Sequence, residues 1–492
     1  MTEPQLCITV AGPTMEDLRR SRDAAIEADL VELRLDLVDR PDVVGALAGR
    51  RAPVIVTCRA SWEGGKFQGS EDERRRILES ALALGAEYVD VEEAASFTPD
   101  LIRSRAGKGI VVSSHLFGPP PPDLDARYAR LRAAGAEVAK LAVEVSSLAE
   151  TLPLFELGAS NADEPGRGHV LLAMGSQGVP TRILAARMRN RWTYAGDAVA
   201  PGQLPASRLL RDFRFRRIAS NAELYGVVGN PILHSRSPVM HNAGFAALGL
   251  NGVYVPLEAR DADDFVRFAR RMDLRGASVT TPFKISLLPN LKSIDPLATG
   301  VGAINTLVMR NDEWAGTNTD VEGFLAPLTR RTALEGLRAS VLGSGGAARA
   351  VAVALASRQA KVTIAARNAH KARVIADLVD GDVSAFPPPR SSWDVLVNAT
   401  TVGSVKAPGN PMGEARLDGR IVFDLVYAPA DTELLLAARA AGCQTIGGLE
   451  MLIAQAERQF EIWTGQRPPA GLFEAAAAGG QETATIADGI SR

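Results

Sequence analysis

At 492 residues the chain exceeds what one ordinary hydrophobic core holds, so two or three domains are expected. Its 46% hydrophobic and 23% charged residues are those of a soluble globular protein, and a net charge of −2 gives no bulk attraction to nucleic acid or membrane. Three scattered cysteines without metal-ligand spacing, no basic-then-apolar leader and no apolar run near the ~18 residues that span a bilayer point to a cytoplasmic, metal-free protein acting on small molecules.

Residues 6–196 alternate β-rich apolar runs with stretches of helical spacing. Leu6–Val10, Leu30–Leu35, Val54–Cys58, Tyr88–Val91, Ile110–Ser113, Val138–Val143, Val170–Met174 and Trp192–Ala195 predict strands. Met15–Ala28, Ser70–Gly85 and Pro180–Arg191 predict helices between them. Eight such units predict an α/β fold of the (β/α)8 TIM-barrel kind, whose functional groups gather at the C-terminal strand ends. Those ends are polar here: Glu32 and Arg34, Arg59 and Glu63, Asp90 and Glu92, His115, and Lys140.

Lys140 is the most pointed of these. Only eight of the 55 basic residues are lysine, and Lys140 lies in Glu137-Val-Ala-Lys-Leu-Ala-Val143, patterned as a buried strand. An unpaired buried ammonium is costly, and desolvation favours the neutral, nucleophilic amine that arginine cannot supply. A lysine snorkelling to the rim is the plainer alternative. His115 ends the preceding predicted strand, which a barrel places beside Lys140. An amine beside an acid/base imidazole suits Schiff-base chemistry with a proton removed next to the imine.

Val31-Glu-Leu-Arg-Leu-Asp36, Thr57-Cys-Arg59 with Glu63-Gly-Gly65, the His115 and Lys140 strands, and Ala200-Pro-Gly-Gln203 together resemble the ordered motifs of type I 3-dehydroquinate dehydratases. The resemblance implies Lys140 as the imine-forming residue, His115 as the proton shuttle and Glu63 as the carboxylate beside it. It implies Glu32, Arg34, Arg59, Arg182 and Gln203 as substrate contacts. Val199 stands where many members carry serine, which removes one hydrogen bond from the closing loop.

The domain junction is expected near 219, giving domains 1–219 and 220–492. Tyr225-Gly-Val-Val-Gly-Asn-Pro-Ile-Leu-His-Ser-Arg-Ser-Pro-Val-Met-His-Asn242 reads as a strand, a stiff loop and a helix opened by Pro238. The hydroxyls of Ser235 and Ser237 and free N–H groups at such a helix start suit a small carboxylate. Further strands are predicted at Val253–Leu257, Gly276–Val279 and Ile304–Met309. The Tyr225–Asn242 pattern resembles the substrate loop of shikimate dehydrogenases, and three more motifs follow in that family's order. Ser278-Val-Thr-Thr-Pro-Phe-Lys284 implies Thr280 and Lys284, with Ser278 where bacterial members often have asparagine. Gly302-Ala-Ile-Asn-Thr306 and Thr317-Asn-Thr-Asp320 imply Asn305 and Asp320. A Lys–Asp pair is commonly an inconsequential surface ion pair; the resemblance makes Lys284 and Asp320 the proton-transfer pair.

Ser340-Val-Leu-Gly-Ser-Gly-Gly-Ala-Ala-Arg349 predicts a strand, a glycine turn and a helix to about Ser357, which lets a pyrophosphate lie on the helix N-terminus through Gly343, Ser344, Gly345, Gly346 and Ala347. Strands Val362–Ala365, Val395–Asn398 and Ile421–Leu425 complete a Rossmann-like lobe. The second strand ends Ile364-Ala-Ala-Arg-Asn368, with Arg367 where an NAD-binding fold commonly has an acid, which predicts NADP. The family resemblance continues through Asn398-Ala-Thr400, Asp424-Leu-Val-Tyr-Ala-Pro429 and Gly447-Gly-Leu-Glu-Met-Leu452. It implies Asn398, Thr400 and Gly448 near the cofactor, and Tyr427 and Gln455 at the substrate. The substrate lobe is expected at about 220–330 plus a returning helix at 448–467, and the nucleotide lobe at 331–447. The Ala-, Gly- and Thr-rich tail after Arg467 is expected to be partly disordered.

The two resemblances share a metabolite, 3-dehydroshikimate, which is the product of the first reaction and the substrate of the second. A non-catalytic metabolite-sensing regulator and an NAD-linked quinate/shikimate dehydrogenase are the alternatives. Retained Lys140, His115, Lys284 and Asp320 speak against the first, and Arg367 against the second.

Overall fold

All eight predicted N-terminal runs form strands: β1 (Gln5–Val10), β2 (Leu30–Arg34), β3 (Val54–Thr57), β4 (Tyr88–Glu92), β5 (Ile110–Leu116), β6 (Val138–Glu144), β7 (Gly168–Met174) and β8 (Trp192–Ala195). The structure is a computed structural model describing residues 3–160, 166–196, 201–310 and 313–479. The strands pair in the order β7-β6-β5-β4-β3-β2-β1-β8, each neighbouring pair parallel, so β8 returns beside β1 as a barrel requires. Cys7, Leu30, Ile55, Val111, Val138, Val170 and Trp192 fill one part of its interior as a packed core. Side chains alternate along a strand, so Asp90 and Glu92 face the same way. The register Glu92–Ser113 and Ser113–Lys140 then lines up a polar row across β4, β5 and β6.

Local chemistry sets the helix starts. Thr14 caps the helix Met15–Ala24, and Ser70 and Glu73 close a reciprocal capping box on the helix Glu71–Ala83. Two expectations need correction. The first helix stops at Ala24, short of Ala28. The expected helix Pro180–Arg191 is only Val179–Ile183. There the Asn190 side chain pairs with both backbone groups of Leu171, at 2.9 and 2.8 Å, and Arg189 takes a φ of 56°, so the chain leaves helical geometry.

The chain divides into two compact units, Met1–Leu274 and Arg275–Arg492, later than the expected junction at 219. In the first unit β9 (Glu223–Gly229) and β10 (Gly252–Glu258) form a parallel pair, and residues 220–274 pack with the barrel. Phe268 meets Phe155 edge-on at 6.4 Å, and the buried Asp264 carboxylate accepts from Leu148 and Ala149 N–H at 3.1 and 2.8 Å.

The second unit opens with β11 (Leu274–Val279), β12 (Ser293–Ile294), β13 (Thr306–Arg310) and β14 (Glu313–Thr317). β13 runs antiparallel to both β11 and β14, a pairing the sequence reading did not foresee. Then come β15 (Arg338–Leu342), β16 (Lys361–Ala365), β17 (Asp382–Ser384), β18 (Val395–Asn398), β19 (Ile421–Asp424) and β20 (Gln444–Ile446). Their order β17-β16-β15-β18-β19-β20, all parallel, is the doubly wound arrangement with its switch point between β15 and β18. The helix Gly448–Thr464 approaches the helix Asp320–Thr329 closely because Gly323 has no β-carbon, which would lie 2.6 Å from that of Gln455. Up to residue 479 the expected disorder after Arg467 is not found. Residues 472–478 are helical, with Phe473 fully buried 5.7 Å from the Phe460 ring. Residues 480–492 lie outside the described residues.

Candidate active sites

At the barrel mouth Lys140 Nζ donates to Asp90 Oδ2 at 2.8 Å, lies 3.7 Å from Glu32 Oε1, and sits 4.4 Å from the Tyr194 ring centre. Lys140 is buried, as the strand pattern predicts, and does not snorkel to the rim; β4 supplies the carboxylate that pairs with it. Asp90 Oδ1 also takes Ser113 Oγ at 2.6 Å and Arg59 Nη2 at 2.9 Å. Burial opposes its charge, but Arg59 and Lys140 prevail and hold the carboxyl well below the usual range. Arg59 reaches Glu92 at 3.0 Å, and Glu92 is paired with Arg74 as well. This buried network fixes Asp90, and through it the lysine.

His115 is the penultimate residue of β5, and its Nδ1 lies 2.9 Å from Glu63 Oε2, the same oxygen that accepts the His115 N–H at 3.1 Å. Burial raises the Glu63 carboxyl to about 7. Burial, with Arg59 and Lys140 nearby, pushes His115 well below the usual imidazole range. The other predicted contacts divide by how far the protein satisfies them. Glu32 accepts Thr9 and Thr57 hydroxyls at 2.8 and 2.9 Å, and Arg34 grips Asp36 with two nitrogens at 2.9 and 2.8 Å. Gln203 Nε2 donates to Thr9 Oγ1 at 3.2 Å. Arg182 is 2% exposed, donates to Pro201 O at 3.1 Å, and has its Nε buried without a hydrogen-bond partner among the described residues. Burial lowers it to about 10, which still leaves it charged and suited to an anion. Val199 lies outside the described residues.

Also in the first unit, Ser235 Oγ accepts from Ser237 N at 3.2 Å at the start of the helix Ser237–Ala247. Ser237 is buried, and Pro238 stands in the first turn as expected.

In the second unit Lys284 Nζ meets Asp320 Oδ2 at 2.5 Å, and Asn305 Nδ2 donates to Asp320 Oδ1 at 2.7 Å. Gln455 Oε1 lies 3.4 Å from the same Asn305 nitrogen. Asn305 is held in turn by Thr306 Oγ1 and Thr319 N, each at 2.7 Å. The pair is thus braced from its carboxylate side, with 22% of the lysine side chain exposed. Thr280 is half-buried at the end of β11, Tyr427 half-buried after β19, and Ser278 is used inside the fold, donating to Gln459 at 2.7 Å.

The glycine turn leads into the helix Gly346–Ala356, whose N-cap Gly345 supplies no side-chain cap. Gly343 has a φ of 116°, while a β-carbon at Gly345 or Gly346 would meet nothing within 4 Å. Open backbone at a helix N-terminus fits a pyrophosphate. Ser344 and Ala347 flank it, half-buried. Arg367 is exposed just past β16, and Asn368 caps the next helix. These residues fit a 2′-phosphorylated dinucleotide. Asn398 is fully buried, and its amide serves Asp424, Val402 and Thr400. A β-carbon on Gly448 would lie 2.3 Å from Leu425 O, so that glycine permits close backbone packing.

Fold and sites define a two-enzyme chain, a barrel lyase followed by a dinucleotide-dependent oxidoreductase. Residues 6–220 match type I 3-dehydroquinase, 227–307 the shikimate dehydrogenase substrate binding domain, and 448–478 the shikimate 5'-dehydrogenase C-terminal domain. The chain is 33% identical to the chloroplastic bifunctional 3-dehydroquinate dehydratase/shikimate dehydrogenase of Arabidopsis thaliana, across 94% of this chain and 83% of that one. It is 39% identical to the shikimate dehydrogenase (NADP(+)) of Anaeromyxobacter dehalogenans, across 51% of this chain and 94% of that one. A solved shikimate dehydrogenase in complex with NADP+ is similar at a TM-score of 0.50 and 32% identity, over 53% of this chain and 96% of that one. The chain belongs to the family of bifunctional 3-dehydroquinate dehydratases/shikimate dehydrogenases.

Sequence reasoning named Asp90 and Glu92 only as polar strand ends and missed Ser113 and Tyr194 at Lys140. A signal was present: in Tyr88-Val-Asp-Val-Glu92 two acids alternate with valines, which puts both on one face of a short buried strand.

Proposed function

We propose that the chain dehydrates 3-dehydroquinate to 3-dehydroshikimate at the barrel mouth and reduces that product to shikimate with NADPH. The observation that carries the reading is the buried Lys140–Asp90 pair beside the His115–Glu63 pair, with the braced Lys284–Asp320 pair in the same chain. Once Lys140 has given up a proton, its amine adds to the substrate ketone and water leaves to form an iminium. This acidifies the neighbouring C–H, His115 takes that proton, and the β-hydroxyl departs as water with a proton returned by His115. Hydrolysis then frees the lysine. Arg182, Arg34, Arg59, Glu32 and Gln203 are assigned to the substrate, Arg182 being the readiest for its carboxylate.

Ser235 and Ser237 are assigned to the shikimate carboxylate, and Thr280, Asn305, Tyr427 and Gln455 to its hydroxyl and carbonyl groups. Lys284, oriented by Asp320, delivers the proton to the carbonyl oxygen. When bound, NADPH supplies the hydride; Gly343–Ala347 would hold its pyrophosphate and Arg367 its 2′-phosphate. Asn398, Thr400 and Gly448 shape that lobe's loops instead of presenting free polar groups. The domain junction near 219 is supported by family matches that end at 220 and resume at 227. Strands β15 to β20 fall within the proposed nucleotide lobe, 331–447. Three buried free cysteines support a reducing, cytoplasmic setting, and no helix among the described residues is long and apolar enough to cross a membrane.

Each half is tested with its own substrate: 3-dehydroquinate alone should yield the conjugated enone, and 3-dehydroshikimate should consume NADPH. Absence of either turnover in folded protein contradicts that half. A pH profile tests the His115–Glu63 pair. With Glu63 raised to about 7, the pair takes up one proton as pH falls through that value. A proton taken up on the shared Oε2 is donated to Nδ1, which puts the imidazole hydrogen on Nε2, and that nitrogen then cannot act as base. Dehydratase kcat/KM should therefore decline below pH about 7. In Glu63→Gln the acid limb should move lower, with the maximum reduced by roughly tenfold or more. An unmoved limb would remove Glu63 from the pair.

Cofactor choice gives a further expectation. A guanidinium can grip a phosphate with two N–H groups, and no acid stands at Ala365–Asn368 to repel it. Arg367→Ala should raise KM for NADPH by about tenfold or more while leaving that for NADH nearly unchanged. Equal use of both cofactors by the unmodified chain would refute this role.

A further inference from the structure

Glu258 ends β10 with 7% exposure, and no step of either reaction uses it. Its two oxygens point to different loops of the first unit. Oε1 accepts Ser176 Oγ at 2.5 Å, in the turn that follows β7. Oε2 accepts the Ile232 N–H at 3.1 Å, in the loop that carries Ser235 and Ser237.

The Ser176 turn bears directly on the segment that carries Gln203. Gly175 N donates to Pro201 O at 3.3 Å, and a β-carbon on Gly202 would lie 2.2 Å from Gly175 O, so the two backbones lie against each other. Arg182 holds the same Pro201 carbonyl. A second link runs parallel to the first. The helix Ala206–Arg211 continues from that segment, and Arg208 Nη2 donates to Leu233 O at 2.9 Å, next to Ile232. Adjacent peptide groups of the Ser235 loop are thus fixed by two barrel-side contacts, one through Glu258 and one through Arg208.

We propose that Glu258, seconded by Arg208, is a positioning residue shared by both reactions: one carboxylate sets the Gly175–Ser176 turn, against which Pro201 and Gly202 next to Gln203 lie, and the Ser235–Ser237 carboxylate loop together. The inference rests on the assignment of Gln203 and Ser235/Ser237 to the two substrates. A buried carboxylate with both oxygens committed fixes the distance between the loops it joins, and removing it leaves the Ile232 N–H without its acceptor. Seating of the two substrates depends on those loops, whereas Lys140 and Lys284 are held by other partners. Loss of Glu258 should therefore weaken substrate binding at both sites and leave the chemical steps intact.

The test is steady-state kinetics of both half-reactions in the full chain, with thermal melts alongside. Glu258→Ala is expected to raise KM for 3-dehydroquinate and for 3-dehydroshikimate each by about tenfold, with kcat changed far less. KM for NADPH should stay unchanged. Glu258→Gln keeps one acceptor oxygen and should recover part of the loss at one of the two sites. Arg208→Ala should raise KM for 3-dehydroshikimate in the same direction. Unchanged KM at both sites, even with a lowered melting temperature, would reduce Glu258 to a structural contact and overturn the proposal, as would an effect confined to one site. Failure of the unmodified chain to turn over either substrate would instead contradict the functional reading beneath it.

Discussion

Lys140→Arg is expected to abolish dehydration of 3-dehydroquinate, lowering turnover by about 10⁴-fold or more, because a guanidinium keeps the charge but cannot provide a neutral amine. The ion pair with Asp90 gives the substitution a clear meaning. Arginine can still answer that carboxylate, so a buried anion is not stranded and the fold should persist, which circular dichroism and melting would show. Reduction of 3-dehydroshikimate by the same variant should be little changed. Borohydride added to the unmodified chain with substrate should reduce the iminium to a stable secondary amine on Lys140, located by peptide mapping. Labelling at another lysine, or normal dehydration by the arginine variant, would sink the assignment.

Lys284→Met is expected to reduce dehydrogenase turnover by the 10²–10⁴-fold, roughly, that follows loss of a proton donor, with KM for 3-dehydroshikimate changed far less. Asp320→Asn should act in the same direction. Its amide cannot hold an ammonium at 2.5 Å, and Asn305 would lose the anion it donates to. A purely structural ion pair predicts the reverse: a lower melting temperature with normal activity per folded molecule. Measuring kinetics and melts on the same preparations separates the two. The dehydratase provides an internal control for folding of the first unit.

Much of this was legible in the sequence because the barrel strands are short, apolar on both faces and polar where they end. β8 was bounded correctly, and most others fell within two residues of the observed bounds. Lys140, His115 and Glu63 were found as a set, as were Lys284, Asp320 and Asn305. The partner of Lys140 was not. Asp90 is 50 residues earlier and reaches the amine across the barrel mouth, a relation that depends on strand register and closure and not on spacing along the chain. The helix expected from Pro180 to Arg191 failed for a similar reason. A tertiary hydrogen-bond pair from Asn190 to Leu171 overrides a locally helical pattern. The Ala-, Gly- and Thr-rich tail reads as partly disordered because its one aromatic, Phe473, packs on Phe460 of a helix that composition alone does not bring to it. Asn398 shows the limit of carrying roles over by motif: its position is as expected, but its amide is engaged by Thr400 and Val402 of the following loop and by Asp424 at the end of β19.

The most direct measurement is product identification after the purified full-length chain is incubated with 3-dehydroquinate and NADPH and nothing else. The account predicts shikimate as the end product, with one NADPH consumed for each shikimate formed and 3-dehydroshikimate appearing between the two. In Lys284→Met the reaction should stop at 3-dehydroshikimate, and in Lys140→Arg at unreacted 3-dehydroquinate. Accumulation of 3-dehydroshikimate by the unmodified chain in excess NADPH, or no conversion at all by folded protein, would contradict the central claim that one chain performs both steps.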